Sequence, residues 1–439
     1  MAMKVPANAL PSSDALGLSP QDLATLEILA DSIIEDTLQA YEAYRADRFV
    51  SPKLWKPVRS AGGVTVYKDR KEVRASSQKL RAADGLLSPV LSKYSTPALL
   101  AVGTVRGSLD DSMYGDFYDS DEAAQLRAAY VKGQPYEDFR VLQQISIPSE
   151  DEPYRFCGLV WATLVSSGRP FVQQRDLLLL VSSGEAFTKT GERFGYRVEH
   201  SVSLPTLPKL DDFKLVRAKM SMCCLKWPLH GDEAGDVDTL EVFQKGFFSP
   251  MGSARDRAVT RLFVNSLLLT PLTLEAALSK KLVWMRGHAP GRKRTYVSPY
   301  RSSSFAMMSS SPARGTRATT VTMGILTRVS AAAADLVDRL VFSEECAGRC
   351  QTNTCKQTRK IVVEVSSSGV TLRPLVFCIV CVAMAERHSA SGFAQKELTH
   401  DSGFTTSESV GWSQNGSIAE TTSYDRAGSS RFEPGVRLY

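Results

Sequence analysis

The chain has 439 residues, 43% hydrophobic and 23% charged, with a formal net charge of +6. Length and composition are those of a globular protein of two or three domains with a substantial core. The mild positive charge suits an anionic membrane surface but is spread too thinly to make nucleic acid the expected partner.

The first twenty residues, MAMKVPANALPSSDALGLSP, lack the apolar core of a secretory signal and the arginine-rich pattern of a mitochondrial one. No apolar run approaches the ~20 residues needed to cross a bilayer. The chain therefore reads as cytoplasmic, at most peripheral to an endomembrane. There, clustered cysteines stay reduced and serve more readily as ligands than as disulfides.

Residues 1–18 are expected to be disordered. From Ser19 an amphipathic helix to about residue 45 is predicted: Ser19 caps it, Pro20 fits its first turn, and Leu23, Leu26, Ala30, Ile33 or Ile34, Leu38 and Tyr41 form one stripe. Short strand-like pieces (VTVYK, LLAVG) follow, separated by the basic stretch DRKEVRASSQKLR, and SLDDSMYGDF suggests a short capped helix.

The middle alternates. In RFGYRVEHSVSL, Tyr196, Val198, His200, Val202 and Leu204 share one face, and Arg197, Glu199, Ser201 and Ser203 the other. YRFCGLVWATLVS, RDLLLLVSSG, FKLVRAKMSMCCLKW and DTLEVFQKGFF read as further strands with short turns between them, so an antiparallel meander is expected. After Pro250 the period becomes helical, with Val259, Leu262, Phe263, Leu267, Leu274, Leu278 and Leu282 on one side and a kink predicted at Pro271. Residues 286–320 are basic, serine-rich and without period, hence a linker. A weaker helix is expected over Met323 to Phe342, and 386–439 have the composition of a disordered tail.

The ordered set LWKPVRSAGGVTVYKDRK, PALLAVGTVRGSLDDSMYGD, PYRFCGLVWATLV, FVQQRDLLLLVSSG, GERFGYRVEHSVSLP and VFQKGFFSPMG resembles START-like lipid-binding domains followed by a FYVE-type zinc finger. The resemblance implies an α+β helix-grip fold over 19–285, an antiparallel sheet closing on a long C-terminal helix with one apolar ligand between them. Candidate lining residues are Trp161, Arg175, Asp176, Tyr196, His200, Met220, Met222, Cys224 and Phe243, with Arg175 and Asp176 matching an Arg-Asp before a central strand. Each also has a plainer reading. Arg175 and Asp176 equally suit a structural salt bridge or a turn-fixing hydrogen bond, His200 a satisfied core histidine, and the methionines core filler.

Five of the eight cysteines fall in CAGRCQTNTCKQTRKIVVEVSSSGVTLRPLVFCIVC, residues 346–381. Tetrahedral zinc needs four thiolates or imidazoles. By resemblance, 321–385 hold a helix and a degenerate finger: nothing matches the first cysteine pair, and Thr358 replaces a ligand of the third. One Zn2+ held by Cys346, Cys350, Cys378 and Cys381 is the expectation. The family's basic phosphoinositide motif is absent; Ser343, Glu344 and Glu345 stand there and would repel phosphate. Lys356, Arg359 and Lys360 suit a solvated loop, or weak contact with an anionic membrane surface.

Three functions follow. The first is a non-enzymatic module for a lipid or other apolar small molecule. The second is a scaffold whose cavity is filled and whose finger or tail binds a protein partner. The third is a hydrolase or cyclase in the same grip, which the sequence supports little: it has no G-x-S-x-G, no phosphate-cradling glycine loop, no H-E-x-x-H, and five scattered histidines.

Overall fold

A computed structural model describes residues 5–6, 9–70, 97–165, 173–229, 238–252, 257–287, 357–366, 369–402 and 437–438. Of the expected linker 286–320, residues 286 and 287 end the helix Thr270–Gly287 and the rest lies outside them, as do the expected helix over Met323 to Phe342 and Cys346, Cys350 and Cys355.

The N-terminal helix runs Pro20–Arg45. Ser19 and Asp22 form a reciprocal cap: the Asp22 N–H donates to Ser19 Oγ at 3.2 Å, and the Asp22 carboxylate accepts the Ser19 N–H at 2.9 Å. That satisfies two of the backbone donors a helix start leaves orphaned. Ala30, Ile34, Leu38 and Tyr41 are buried, at the three- and four-residue spacings of one helical face.

Nine strands form one antiparallel path: β1 (Trp55–Ala61), β2 (Val64–Asp69), β3 (Ala98–Arg106), β4 (Tyr136–Ser146), β5 (Phe156–Leu164), β6 (Arg175–Phe187), β7 (Arg193–Ser201), β9 (Lys219–Leu229) and β10 (Thr239–Ser249), while the short β8 (Val216–Arg217) runs parallel to β6. The spatial order is β1-β2-β3-β10-β9-β7-β6-β5-β4. Helices Leu109–Asp116 and Asp121–Tyr130 fill the connection from β3 to β4. They carry the chain to the far edge, from which short hairpins meander back until β10 pairs with β3.

Both faces of the central strands are covered, while the edge strand β1 is exposed along most of its length. β5 and the first ten residues of β6 are buried throughout, so their apolar runs show no alternation. One face, with Val160, Leu177, Leu179, Met220, Met222 and Val242, packs against helices 109–116 and 257–287. The other holds Leu178, Leu180 and Trp161 in one cluster and Tyr196, Val198, Leu225 and Phe243 in another, both packed on the N-terminal helix.

The C-terminal helical segment is two helices, Arg257–Ser266 and Thr270–Gly287, meeting at 56°. Pro271 stands at the start of the second, where its missing N–H costs nothing. At the break, Gln244 Nε2 donates to the Leu267 carbonyl at 3.0 Å, supplying a partner that the interrupted helix does not. Helix 109–116 crosses helix 270–287 backbone to backbone: a Cβ on Gly115 would sit 1.8 Å from the Thr273 carbonyl oxygen, so only glycine fits. Among the described residues no single helix is long and apolar enough to cross a membrane.

The segments expected to be disordered carry some regular structure. Ser13–Leu16 form a helical turn with Leu16 buried. Beyond the hairpin of β11 (Gln357–Ser366) and β12 (Gly369–Cys378), helices Ile379–Arg387 and Ala390–Ser402 lie against helix 270–287. Lys281 Nζ donates to the carbonyls of Ala385 and His388 at 2.9 and 2.8 Å, Tyr114 Oη donates to Glu397, and the Trp284 and Phe393 rings meet edge to face at 5.3 Å. Composition could not signal this, because these contacts are all made to residues more than a hundred positions upstream.

Candidate functional site

Between the sheet and helices 257–287 lies a cavity of about 90 Å³. Its apolar lining is Met222 and Cys224 of β9, Phe263 of helix 257–266, and Leu267 and Leu269 of the break that follows it. Interleaved with these on the same sheet face are Arg197, Glu199 and Lys226, and Asp116, Arg127 and Tyr136 complete a charged part of the lining.

These groups form one buried network. Asp116 takes Lys226 Nζ on Oδ2 at 3.0 Å and Arg127 on Oδ1 at 2.6 and 2.9 Å. Arg197 donates to Glu199 Oε1 at 3.1 and 3.2 Å and lies over the Tyr118 ring at 4.2 Å, and Tyr136 Oη donates to Glu199 Oε2 at 2.9 Å. Three cations thus meet two carboxylates. Burial alone would raise the Asp116 pKa, but Lys226, Arg127 and Arg197 together hold it far below the ordinary carboxylate range. Burial likewise works against the Arg197 cation, and the surrounding Tyr118, Glu199 and Asp116 outweigh it and raise its pKa. Burial pushes the Cys224 thiol up to about 12, so at neutral pH it is no nucleophile.

The predicted lining residues divide by face. Met222 and Cys224 line the cavity, and Met220 is buried in the core on the same side. Trp161, Tyr196 and Phe243 are buried on the opposite face, against the N-terminal helix. His200 follows the same alternation as Tyr196; its Nδ1 pairs with Ser221 Oγ at 2.9 Å, and burial lowers its pKa. These four were expected to line a ligand space beneath the C-terminal helix; their alternation puts them on the sheet face away from this cavity.

Asp176 is fully buried, accepting from Trp161 Nε1 at 3.0 Å and pairing with Arg217 at 2.8 Å. Arg175 donates to the backbone carbonyls of Pro250 and Gln173. Both residues tie the end of β6 to neighbouring segments, and the plainer structural reading holds for them.

Arg197, Glu199, Lys226, Asp116 and Arg127 went unrecognised. The signal was present: Arg197 and Glu199 alternate with Tyr196 and Val198, but charged positions on a strand read as a solvent face. Of the four expected zinc ligands, Cys378 ends β12 and Cys381 is half-buried in helix 379–387, while Cys346 and Cys350 lie outside the described residues. Among the described residues no group of three or more His, Cys, Asp or Glu could hold a metal ion.

Asp119, between helices 109–116 and 121–130, is 6% exposed, and its Oδ1 has no partner. Burial raises its pKa to about 6, against a smaller opposing effect of the Ser120 hydrogen bond. The native state therefore binds more protons than the unfolded chain between about pH 4 and 6, and Asp119 erodes stability as pH rises through that window. Asp119→Asn is expected to raise stability at pH 7 by about 1–3 kcal/mol and flatten the pH 4–6 slope. Urea melts across that range check it; an unchanged slope contradicts it.

No protein-family model matches the chain, and no curated protein matches it. Among solved structures, human StAR-related lipid transfer protein 5 is 17% identical, with a TM-score of 0.37 over 58% of this chain and 96% of that one. Human STARD10 is 14% identical, with a TM-score of 0.34 over 57% of this chain and 82% of that one. The StAR-related lipid transfer protein of Xanthomonas axonopodis is 15% identical, with a TM-score of 0.30 over 50% of this chain and 96% of that one. Likenesses at this level carry no argument about what this chain binds.

Proposed function

We propose that the chain binds one apolar ligand with a polar head between the sheet and the C-terminal helices, and performs no bond chemistry. The observation that carries this is the mixed lining of the cavity: on its sheet side Met222, Cys224 and Lys226 of β9 beside Arg197 and Glu199 of β7, and above them Phe263 and Leu267. Ligand sites combine apolar surface with polar groups that set orientation, and here the polar share is large, with Gln244, Ser266, Thr270 and Thr273 also in the lining.

The cavity of about 90 Å³ is well below the ~300–1,000 Å³ of ligand clefts, so a lipid enters only if the cavity widens. Helix 257–266, hinged at the break after Ser266 and contributing Phe263 to the wall, is the element whose displacement does this. The same small volume favours a second reading, a filled grip that serves as an interaction scaffold. Enzymatic chemistry draws no support from the cavity: its thiol is protonated and His200 faces the other side of the sheet.

Titration of the full chain with a fluorescent acyl-chain or sterol probe separates the two. Lipid binding predicts saturable uptake at one probe per chain, competed by unlabelled lipid. Cys224→Phe, which places a ring in the cavity at an overpacking cost of about 1–3 kcal/mol, abolishes it while the chain still melts cooperatively. Absence of uptake by the unaltered chain contradicts lipid binding and favours the scaffold.

A further inference from the structure

We propose that the sheet edge formed by residues 48–59 docks the protein on an anionic bilayer surface. Phe49 is 62% exposed, Leu54 47% and Val58 45%; only Ile28 and Ile147 are comparable among the described large apolar residues. Exposed apolar side chains gathered on one segment mark a contact surface. Lys53, Lys56 and Arg59 are exposed among them, and Lys68 and Arg70 stand on the adjoining strand end. Of the nearby acids among the described residues, Asp47 is engaged by the Phe49 N–H at 2.9 Å and Asp69 is buried.

The segment is held in place. Arg70 Nε donates to the Pro52 carbonyl at 2.7 Å, the Arg70 N–H to the Leu54 carbonyl at 2.9 Å, and half-buried Trp55 packs against the Tyr41 cluster. The apolar tips are therefore presented without an ordering cost.

Among the described residues β1 pairs on one side only, and an edge strand also invites another strand. β1 discourages it: it carries Lys56, Pro57 and Arg59, and its register with β2 shifts between Pro57 and Arg59. None of these features hinders a lipid interface. There, apolar side chains enter the headgroup boundary and cations meet lipid phosphates. Docking of this edge does not depend on whether the cavity holds a ligand.

Co-sedimentation of the full chain with phosphatidylcholine vesicles, with and without phosphatidylserine, tests it. Binding is expected only with phosphatidylserine and falls with added salt. At about five-fold per cation, the triple variant Lys53→Ala, Lys56→Ala, Arg59→Ala loses roughly a hundred-fold in partitioning. Phe49→Ser with Leu54→Ser weakens it at least ten-fold by order of magnitude. No binding by the unaltered chain, or binding by both variants at its level, overturns the proposal. So does self-association without vesicle binding, which would assign the edge to a second copy.

Discussion

Asp116→Ala is expected to lower stability by about 3–5 kcal/mol at neutral pH, because it leaves Lys226 and Arg127 without their buried counter-charge. The loss comes from cations stranded out of water, more than from the contacts themselves. Adding Lys226→Met, which removes one stranded cation, should return part of it. The pH dependence has a definite sign. With its folded pKa held far below that of the unfolded chain, Asp116 contributes fully above about pH 4 and its contribution fades as pH falls below that. The two proteins should therefore converge in acid. A cost under about 1 kcal/mol at pH 7 would mean the network is hydrated and the cavity's charged lining is not as described.

Trp227→Ala should cost about 3–5 kcal/mol through an entirely separate part of the core. The indole is 4% exposed and is the middle of a three-ring stack, with Phe194 at 4.6 Å and Tyr41 at 4.9 Å between centroids, and Arg45 over its face at 5.7 Å. This stack fastens the N-terminal helix to the sheet. Its Nε1 has no hydrogen-bond partner, so Trp227→Phe should cost less than half as much. Equal losses in the two variants, read from chemical denaturation, would contradict the stack as the source of the stability.

The ends of the architecture were legible because local chemistry specifies them. Ser19, Pro20 and the stripe from Ala30 to Tyr41 predict the helix that forms, and Pro271 marks the break that occurs. The meander was legible from alternation and short turns. Which face holds the site was not. Alternation in β7 divides Tyr196 and Val198 from Arg197 and Glu199, yet both sets are covered, one by the N-terminal helix and the other by helices from distant sequence. The more apolar set invites assignment to the ligand, whereas the cavity here is the place where charge is buried. Lys226 shows the same difficulty: in CCLKW it reads as a solvent-facing lysine, and only Asp116, 110 positions earlier, explains its burial. The cysteine segment was legible as a pattern, but a zinc site depends on Cys346 and Cys350, which lie outside the described residues.

The central claim is that the space beneath the C-terminal helices takes up one apolar ligand. Mass spectrometry of organic extracts of the full chain, purified from a eukaryotic host beside an identically handled control protein, tests it most directly. The account predicts one lipid class enriched to near one molecule per chain, and lost from the Cys224→Phe variant. An empty extract, together with no uptake from mixed liposomes, would contradict it and leave a filled grip that binds through its surface.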